Sequence, residues 1–298
     1  MCGIVGLYAK TQAFQAGLGA NLGAMLVEMS DRGPDSAGVA LYREPAAEGA
    51  VKLVLHAAAG TCDWPGLAAA LGKAFGVEAS LSQRGDHAVV TLAAALPAVR
   101  AWLTEHHPMV RLVSAGAIIE IFKEKGHPRD VVRHFGLDGL SGSHGLGHTR
   151  MATESAVTTE HSHPFSTGRD LCLVHNGSLS NHNRLRARLR KAGVEIGTDN
   201  DSEVAAGYLA WRLSEGDGLT DALERAMGEL DGFYTFAVGT SSGFAVLRDP
   251  IACKHAVLAE TDDWVAMATE YRAIASLPGA EAAEIWEPRP GQVYAWGG

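Results

Sequence analysis

Phe233-Tyr234-Thr235-Phe236-Ala237-Val238-Gly239 and, after a Ser241-Ser242-Gly243 turn, Phe244-Ala245-Val246-Leu247-Arg248 decide how this chain folds. A connection this short joins two strands only in antiparallel fashion. The pattern recurs downstream, where Ala256 to Ala259, the Thr261-Asp262-Asp263 turn and Trp264 to Thr269 read as a second hairpin. Nearly every residue from Phe233 to Gly239 is apolar, so this strand needs cover on both faces rather than one. Two antiparallel sheets stacked between helices meet that requirement. The expected class is α+β, a four-layer αββα sandwich.

Working outward, Leu18, Leu22, Met25, Leu26 and Met29 recur at spacings of three and four, which places one apolar stripe on a helix between Gly17 and Ser30. Gly33 and Pro34 stop it and turn the chain into a strand from Ser36 to Leu41. Leu146 to Thr153 and Leu171 to His175 read as strands. Asn183 to Lys191 reads as a helix with Leu185 and Leu189 inward and Gly193 as its stop. A helix beyond Asp201-Ser202-Glu203 runs to Leu213, and Leu219, Ala222, Leu223, Ala226, Met227 and Leu230 mark another. Between residues 57 and 143 the texture changes to alternating helical stretches (Leu67 to Phe75, Leu96 to His106) and short apolar runs (His87 to Leu92, Ile118 to Phe122). This segment is expected to be an α+β insertion within a domain spanning 1–298. Its titratable residues are scattered along the chain and form no tight constellation.

The bulk properties narrow the function. With 298 residues, 47% apolar and 20% charged, the chain has the balance of an ordinary globular protein. Its net charge of -9 includes no Lys/Arg blocks, which argues against nucleic acid and membrane surfaces as partners. The N-terminus lacks a basic region leading into an apolar run, and no segment nears the roughly 20 apolar residues of a membrane span, so a cytoplasmic location is expected. Cys2, Cys62, Cys172 and Cys253 lie far apart without a CxxC pair, which suggests neither a disulfide framework nor a cysteine-rich metal site.

Position makes Cys2 unusual. A Cys followed by Gly3 immediately after Met1 loses that Met readily, leaving a thiol and a free α-amine on one residue. Their reference pKa values are about 8.5 and about 7.7 to 8.0, so near neutral pH the amine can take the thiol proton without a separate histidine. The plainer alternative is a small apolar residue in an edge strand.

The downstream pattern favours the first reading. Cys2-Gly3-Ile4-Val5-Gly6, Arg32-Gly33-Pro34-Asp35-Ser36, Gly147-His148-Thr149-Arg150-Met151-Ala152-Thr153, His163-Pro164-Phe165, His175-Asn176-Gly177 and Asp201-Ser202-Glu203 resemble, in order, the motifs of the class II glutamine amidotransferases, which are N-terminal-nucleophile hydrolases. The resemblance implies Cys2 as nucleophile and Asn176 with Gly177 as an oxyanion hole, the preorganised donors that amide hydrolysis requires. An isolated Asn-Gly would read as a plain turn. Arg150 matches the family's binder of the glutamine α-carboxylate, suited to its planar two-pronged geometry, and Asp201 matches the partner of the α-ammonium. Thr149 and His163 fall in the substrate-binding motifs. Arg32 and Asp35 look like the loop that supports the nucleophile. The competing structural readings are a surface ion pair for Arg150, a helix N-cap for Asp201 with Asp199 as rival, and a simple turn for Arg32 to Asp35.

No metal is expected, because no Cys or carboxylate near His161-Ser162-His163 completes a set of ligands. The chain stops near where the family's amidotransferase domain ends, so the acceptor of ammonia is expected on a separate synthase subunit of a hetero-oligomer. Thr149 to Thr159, Val174 to Asn183, Arg248-Asp249-Pro250-Ile251-Ala252-Cys253-Lys254 and Glu270-Tyr271-Arg272-Ala273 resemble the stand-alone amidotransferase subunits of glutamate-synthase-like enzymes, including that of N-methylglutamate synthase. That resemblance implies no cofactor in this chain, with FMN and an iron-sulfur cluster belonging to partner subunits. Met151 stands where amidotransferases of sugar and purine synthesis usually carry Trp. Two further readings stay open: action on another γ-glutamyl amide such as γ-glutamylmethylamide, and a non-catalytic subunit that organises a complex.

Overall fold

The computed structural model describes residues 2–151 and 157–297. Its strands are β1 (Gly3–Ala9), β2 (Ser36–Tyr42), β3 (Val51–His56), β4 (Ala79–Arg84), β5 (His87–Leu92), β6 (Arg111–Gly116), β7 (Ile119–Lys125), β8 (His144–Arg150), β9 (Cys172–Leu179), β10 (Gly232–Thr240), β11 (Gly243–Arg248), β12 (Val257–Glu260), β13 (Trp264–Ala268), β14 (Glu284–Trp286) and β15 (Val293–Gly297). The α-helices are α1 (Gln12–Ala16), α2 (Leu18–Glu28), α3 (Trp64–Phe75), α4 (Leu96–His106), α5 (Pro128–Phe135), α6 (His182–Lys191), α7 (Asp201–Ser214), α8 (Leu219–Glu229) and α9 (Tyr271–Ala275). The strand expected to reach Thr153 ends at Arg150; residues 152–156 lie outside the described residues, as does Met1.

The strands form a seven-stranded sheet in the order β14-β12-β13-β1-β8-β2-β7 and a four-stranded sheet in the order β15-β11-β10-β9. Period-two alternation tells each sheet which face to bury. Ile4, Ala40, Ile121 and Leu146 of the larger sheet meet Val174, Ala237, Phe244 and Val246 of the smaller one in a shared core. The intervening residues Val5, Leu7, Val39 and Phe122 turn instead toward Leu18, Leu22, Met25 and Leu26 of α2 and toward Phe135 of α5. On the other side Tyr234, Phe236 and Val238 pack beneath α6, α7 and α8 through Leu185, Leu189, Val204, Leu209 and Leu223. The layers are therefore αββα, as the apolar β10 demands.

A third sheet, in the order β4-β5-β3-β6, carries its own core with α3 and α4. It occupies 51–116 rather than the expected 57–143. Val51–His56 is one of its two inner strands, sending Leu53 and Leu55 into that core, whereas β7 pairs with β2 and buries Ile119 and Ile121 between the main sheets. The return from β6 to β7 is anchored by Asp170, whose carboxylate accepts from the backbone N–H groups of Ala117, Ile118 and Ile119 at 2.8, 2.9 and 3.1 Å. Among the described residues no helix is long and apolar enough to cross a membrane.

Candidate active site

Cys2 immediately precedes β1, which lies between β13 and β8, so strands on both sides fix its position. The Ile4 N–H donates to Thr269 Oγ1 and the Thr269 N–H to the Ile4 carbonyl, each at 2.9 Å. A Cβ at Gly3 would lie 2.8 Å from both Met29 Cβ and Thr149 Oγ1, closer than packed atoms approach. Any side chain at position 3 would therefore force a shift in the packing beside the half-buried Cys2.

Two side chains from distant segments reach the Cys2 carbonyl. Arg32 donates through Nε and Asn176 through Nδ2, each at 3.3 Å. Arg32 also pairs with Glu270, which binds Arg272 Nε at 2.8 Å, and Arg272 continues to Asp31 at 3.1 Å. The Arg32 hydrogen bond, helped by Arg272, holds the Glu270 carboxyl below its usual range. Glu270 thereby fixes Arg32 against the backbone of Cys2, a role sequence reasoning did not assign even though the Glu270 to Ala273 stretch stood out.

Asn176 and Gly177 lie inside β9, paired with Thr235 and Tyr234 of β10, rather than at the end of a strand, which removes the plain-turn reading. Gly177 has φ of +151°, and a Cβ there would stand 2.0 Å from the Phe233 carbonyl oxygen. Only glycine fits without displacing the β10 backbone. The neighbouring His175 binds Ser202 Oγ through Nδ1 at 2.9 Å, and its carbonyl accepts from His148 Nε2 at 3.1 Å, tying the two sheets together beside the site. Burial holds His148 neutral, lowering its pKa to about 3, and likewise lowers His175.

Arg150, the last residue of β8, is buried and donates Nη1 to the His161 carbonyl at 3.2 Å. Its own carbonyl accepts from the Asp35 N–H at 3.1 Å, and the Asp35 carbonyl accepts from Gly126 at 2.8 Å, so Asp35 ties its loop to the strand through its backbone. Asp201 opens α7 and accepts from the Leu179 N–H at 2.9 Å and from Ser202 Oγ at 3.3 Å. The N-cap expected of Asp201 is supplied by Asn200, whose side chain accepts from the Ser202 N–H at 2.8 Å. Asp199 is exposed and meets His161 at 3.2 Å.

Two of the residues expected to bind substrate are buried in the packing around the site. Thr149 is fully buried with its hydroxyl donated to the Met29 carbonyl at 3.0 Å, so it sets the packing beneath Cys2. His163 is stacked on His148 at 3.9 Å, and both of its ring nitrogens are buried without a hydrogen-bond partner among the described residues. Burial first, then the neighbouring His148 and His175 rings and the Lys123 and Arg150 side chains, drive its pKa well below the ordinary value. Lys123 was missed: its Nζ donates to the carbonyls of Ser162, Pro164 and Glu160 at 2.7, 3.3 and 3.4 Å, holding the loop that carries His163. Burial lowers its pKa to about 8. Nothing local flags it, because β7 reads as an ordinary strand.

The sequence and the fold have counterparts among known proteins. Residues 148–276 match the glutamine amidotransferase domain family. A glutamine amidotransferase-like protein, GlxB, of Rhizobium meliloti is 54% identical over 99% of this chain and 98% of its own length. The chain belongs to the class II glutamine amidotransferases. A putative glutamine amidotransferase of Methanothermobacter thermautotrophicus is 27% identical over 99% of both chains. The glutamine phosphoribosylpyrophosphate amidotransferase of B. subtilis shares the fold with a TM-score of 0.63 at 19% identity, this chain spanning 47% of that one. In this class II amidotransferase the matched segment holds Arg150, Asn176, Asp201 and Glu270, while Cys2 and Arg32 lie outside it and join them from just before β1 and from the 3-10 turn Ser30–Arg32 that follows α2.

Proposed function

We propose that the chain hydrolyses the side-chain amide of glutamine, with Cys2 as nucleophile and its own α-amine, freed by removal of Met1, as base. The observation that carries this reading is the approach of the buried Asn176 Nδ2 to the Cys2 carbonyl at 3.3 Å, which brings an amide donor to the backbone of the residue that carries the thiol. The thiolate attacks the carboxamide carbon, and the Asn176 side chain with the Gly177 N–H receives the charge that develops on oxygen. The protonated α-amine returns its proton to the leaving nitrogen, releasing ammonia. Water admitted after ammonia departs attacks the thioester, and glutamate leaves as the thiolate re-forms. In this scheme Arg150 holds the α-carboxylate, Asp201 the α-ammonium, and Arg32, fixed by Glu270, keeps Cys2 in place.

The ammonia goes to an acceptor site on a separate synthase subunit, of the glutamate synthase or N-methylglutamate synthase type. Support for a separate subunit comes from the Rhizobium meliloti and Methanothermobacter thermautotrophicus relatives, which align over 98% and 99% of their own lengths and so consist almost wholly of this domain. The test is glutamate release from glutamine by the full chain, with intact-mass measurement of the N-terminus, alone and with co-purified partners. Turnover by protein that retains Met1 would refute the α-amine as base.

A further inference from the structure

His56 at the end of β3, Asp86 in the turn between β4 and β5, and Glu124 on β7 each bring one potential ligand atom within 4.8 Å of the other two. We propose that these three side chains form a site for a divalent transition-metal cation of the Zn2+ or Mn2+ kind, clamping the third sheet onto the seven-stranded sheet.

The donor chemistry selects the cation. One imidazole nitrogen with two carboxylate oxygens suits borderline first-row ions, whereas Ca2+ takes six to eight oxygens and Mg2+ favours an oxygen octahedron rich in water. His56 Nε2 lies 3.2 Å from Asp86 Oδ2, so a cation would take the place of the proton between them. The Asp86 and Glu124 carboxylates face one another, an arrangement that like-charge repulsion disfavours and a bound cation relieves.

The supporting contacts hold each ligand in position. His87, fully buried, binds Asp86 Oδ1 through Nδ1 at 3.0 Å, the kind of outer partner that aims a ligating carboxylate. The His87 ring is itself wedged edge-on against Phe135 at 5.0 Å. Glu124 Oε1 accepts from Thr159 Oγ1 and from the Lys125 N–H, both at 2.7 Å. His134 Nε2 stands 3.7 Å from Asp86 Oδ1, the oxygen facing away from His56, and fills the space a Cβ at Gly85 would need, so the glycine, with φ of +58°, lets it support Asp86 from outside the cluster. The cluster opens into a cleft of about 720 Å3, also lined by Cys62 and Glu160, that gives a cation an entry path. Cys2, Arg150 and Asn176 do not line this cleft, so the site is separate from the candidate active site. Through Thr159 the metal would also fix the segment leading to His163.

The test is equilibrium dialysis of the full chain against Zn2+ and, separately, Mn2+, with bound metal measured by mass spectrometry and thermal unfolding followed with and without EDTA. One equivalent of metal and a metal-dependent rise in Tm are expected. Both should be lost in Glu124→Gln and Asp86→Asn, with affinity weaker by about a hundredfold, and His134→Ala should weaken it about tenfold. Circular dichroism of each variant in EDTA should match the metal-free parent, and two different isosteric variants guard against one failing to fold. Cys2→Ala, which removes the competing N-terminal thiolate, should keep the equivalent. Absence of binding, binding that survives Glu124→Gln and Asp86→Asn, or binding that vanishes in Cys2→Ala would each overturn the proposal.

Discussion

Asn176 donates its side-chain amide to the carbonyl oxygen of Cys2 at 3.3 Å from a position 174 residues further along the chain. The bond crosses from the four-stranded to the seven-stranded sheet, so the distance between these two residues depends on the packing of the whole sandwich.

Because the oxyanion exists only in the transition state, Asn176→Ala should lower kcat for glutamine hydrolysis by about a hundredfold or more, with KM little changed. Steady-state glutamate release measures both. A KM defect with kcat intact would reassign Asn176 to substrate binding.

Arg150 is assigned a contact made throughout the reaction, so Arg150→Ala should chiefly raise KM. Arg150→Lys should restore only part of the affinity, since a single ammonium cannot reproduce a two-pronged contact. Complete rescue by lysine would show that charge alone matters there.

Cys2 should be the one cysteine labelled by the glutamine-like electrophile 6-diazo-5-oxo-norleucine, and glutamine should protect it. Cys172 is shielded, its thiol pushed by burial up to about 12 and contacted by the Tyr42 hydroxyl at 3.4 Å. Burial, aided by Asp63, also raises the Cys62 thiol. Cys253 is exposed and makes the stringent control. Peptide mapping that finds Cys253 modified as fast as Cys2 would count against the assignment, and Cys2→Ser should abolish most turnover.

Acid should unfold the protein earlier than carboxylate titration alone predicts. Burial lowers His148 to about 3 and His144 to about 4, so both are neutral in the folded chain at pH values where the unfolded chain, with an ordinary His pKa near 6.5, is protonated. The unfolded state then binds more protons, and stability falls as pH drops from about 6.5 towards these folded values, by about 1.4 kcal/mol per pH unit for each such histidine. Chemical denaturation at a series of pH values should show this slope, and His144→Gln should reduce it by about one proton. An unchanged slope would mean that the His144 side chain is solvated rather than buried.

Much of the fold was legible because it depends on local signals. The short turns around Ser241 to Gly243 and Thr261 to Asp263 dictated antiparallel strands, and the apolar spacing from Leu18 to Met29 dictated a helix. Asn176 and Gly177 were found through their motif, although only the pairing with β10 showed that they sit within a strand. The edges of the third sheet escaped because β3 and β7 have the same texture as their neighbours, and hydrogen-bond pairing alone decides which sheet each joins. The burial of Thr149 and His163 was not legible because polar side chains in a motif do not announce which way they face. His56, Asp86 and Glu124 looked scattered because they lie 30 residues apart for the first pair and 38 for the second, counting 56 to 86 and 86 to 124. No spacing rule links residues brought together by three separate strand connections.

The place of β1 in the larger sheet also bears on how the chain matures. Its two neighbours are β13 and β8, one contributed by residues 264–268 and the other by 144–150. A ribosome delivers the N-terminal strand first, yet the slot that receives it is complete only when nearly all of the chain has emerged. The seat of Cys2 is therefore finished late: β8 is available to β1 once residue 150 is out, but β13 completes the slot only after residue 268.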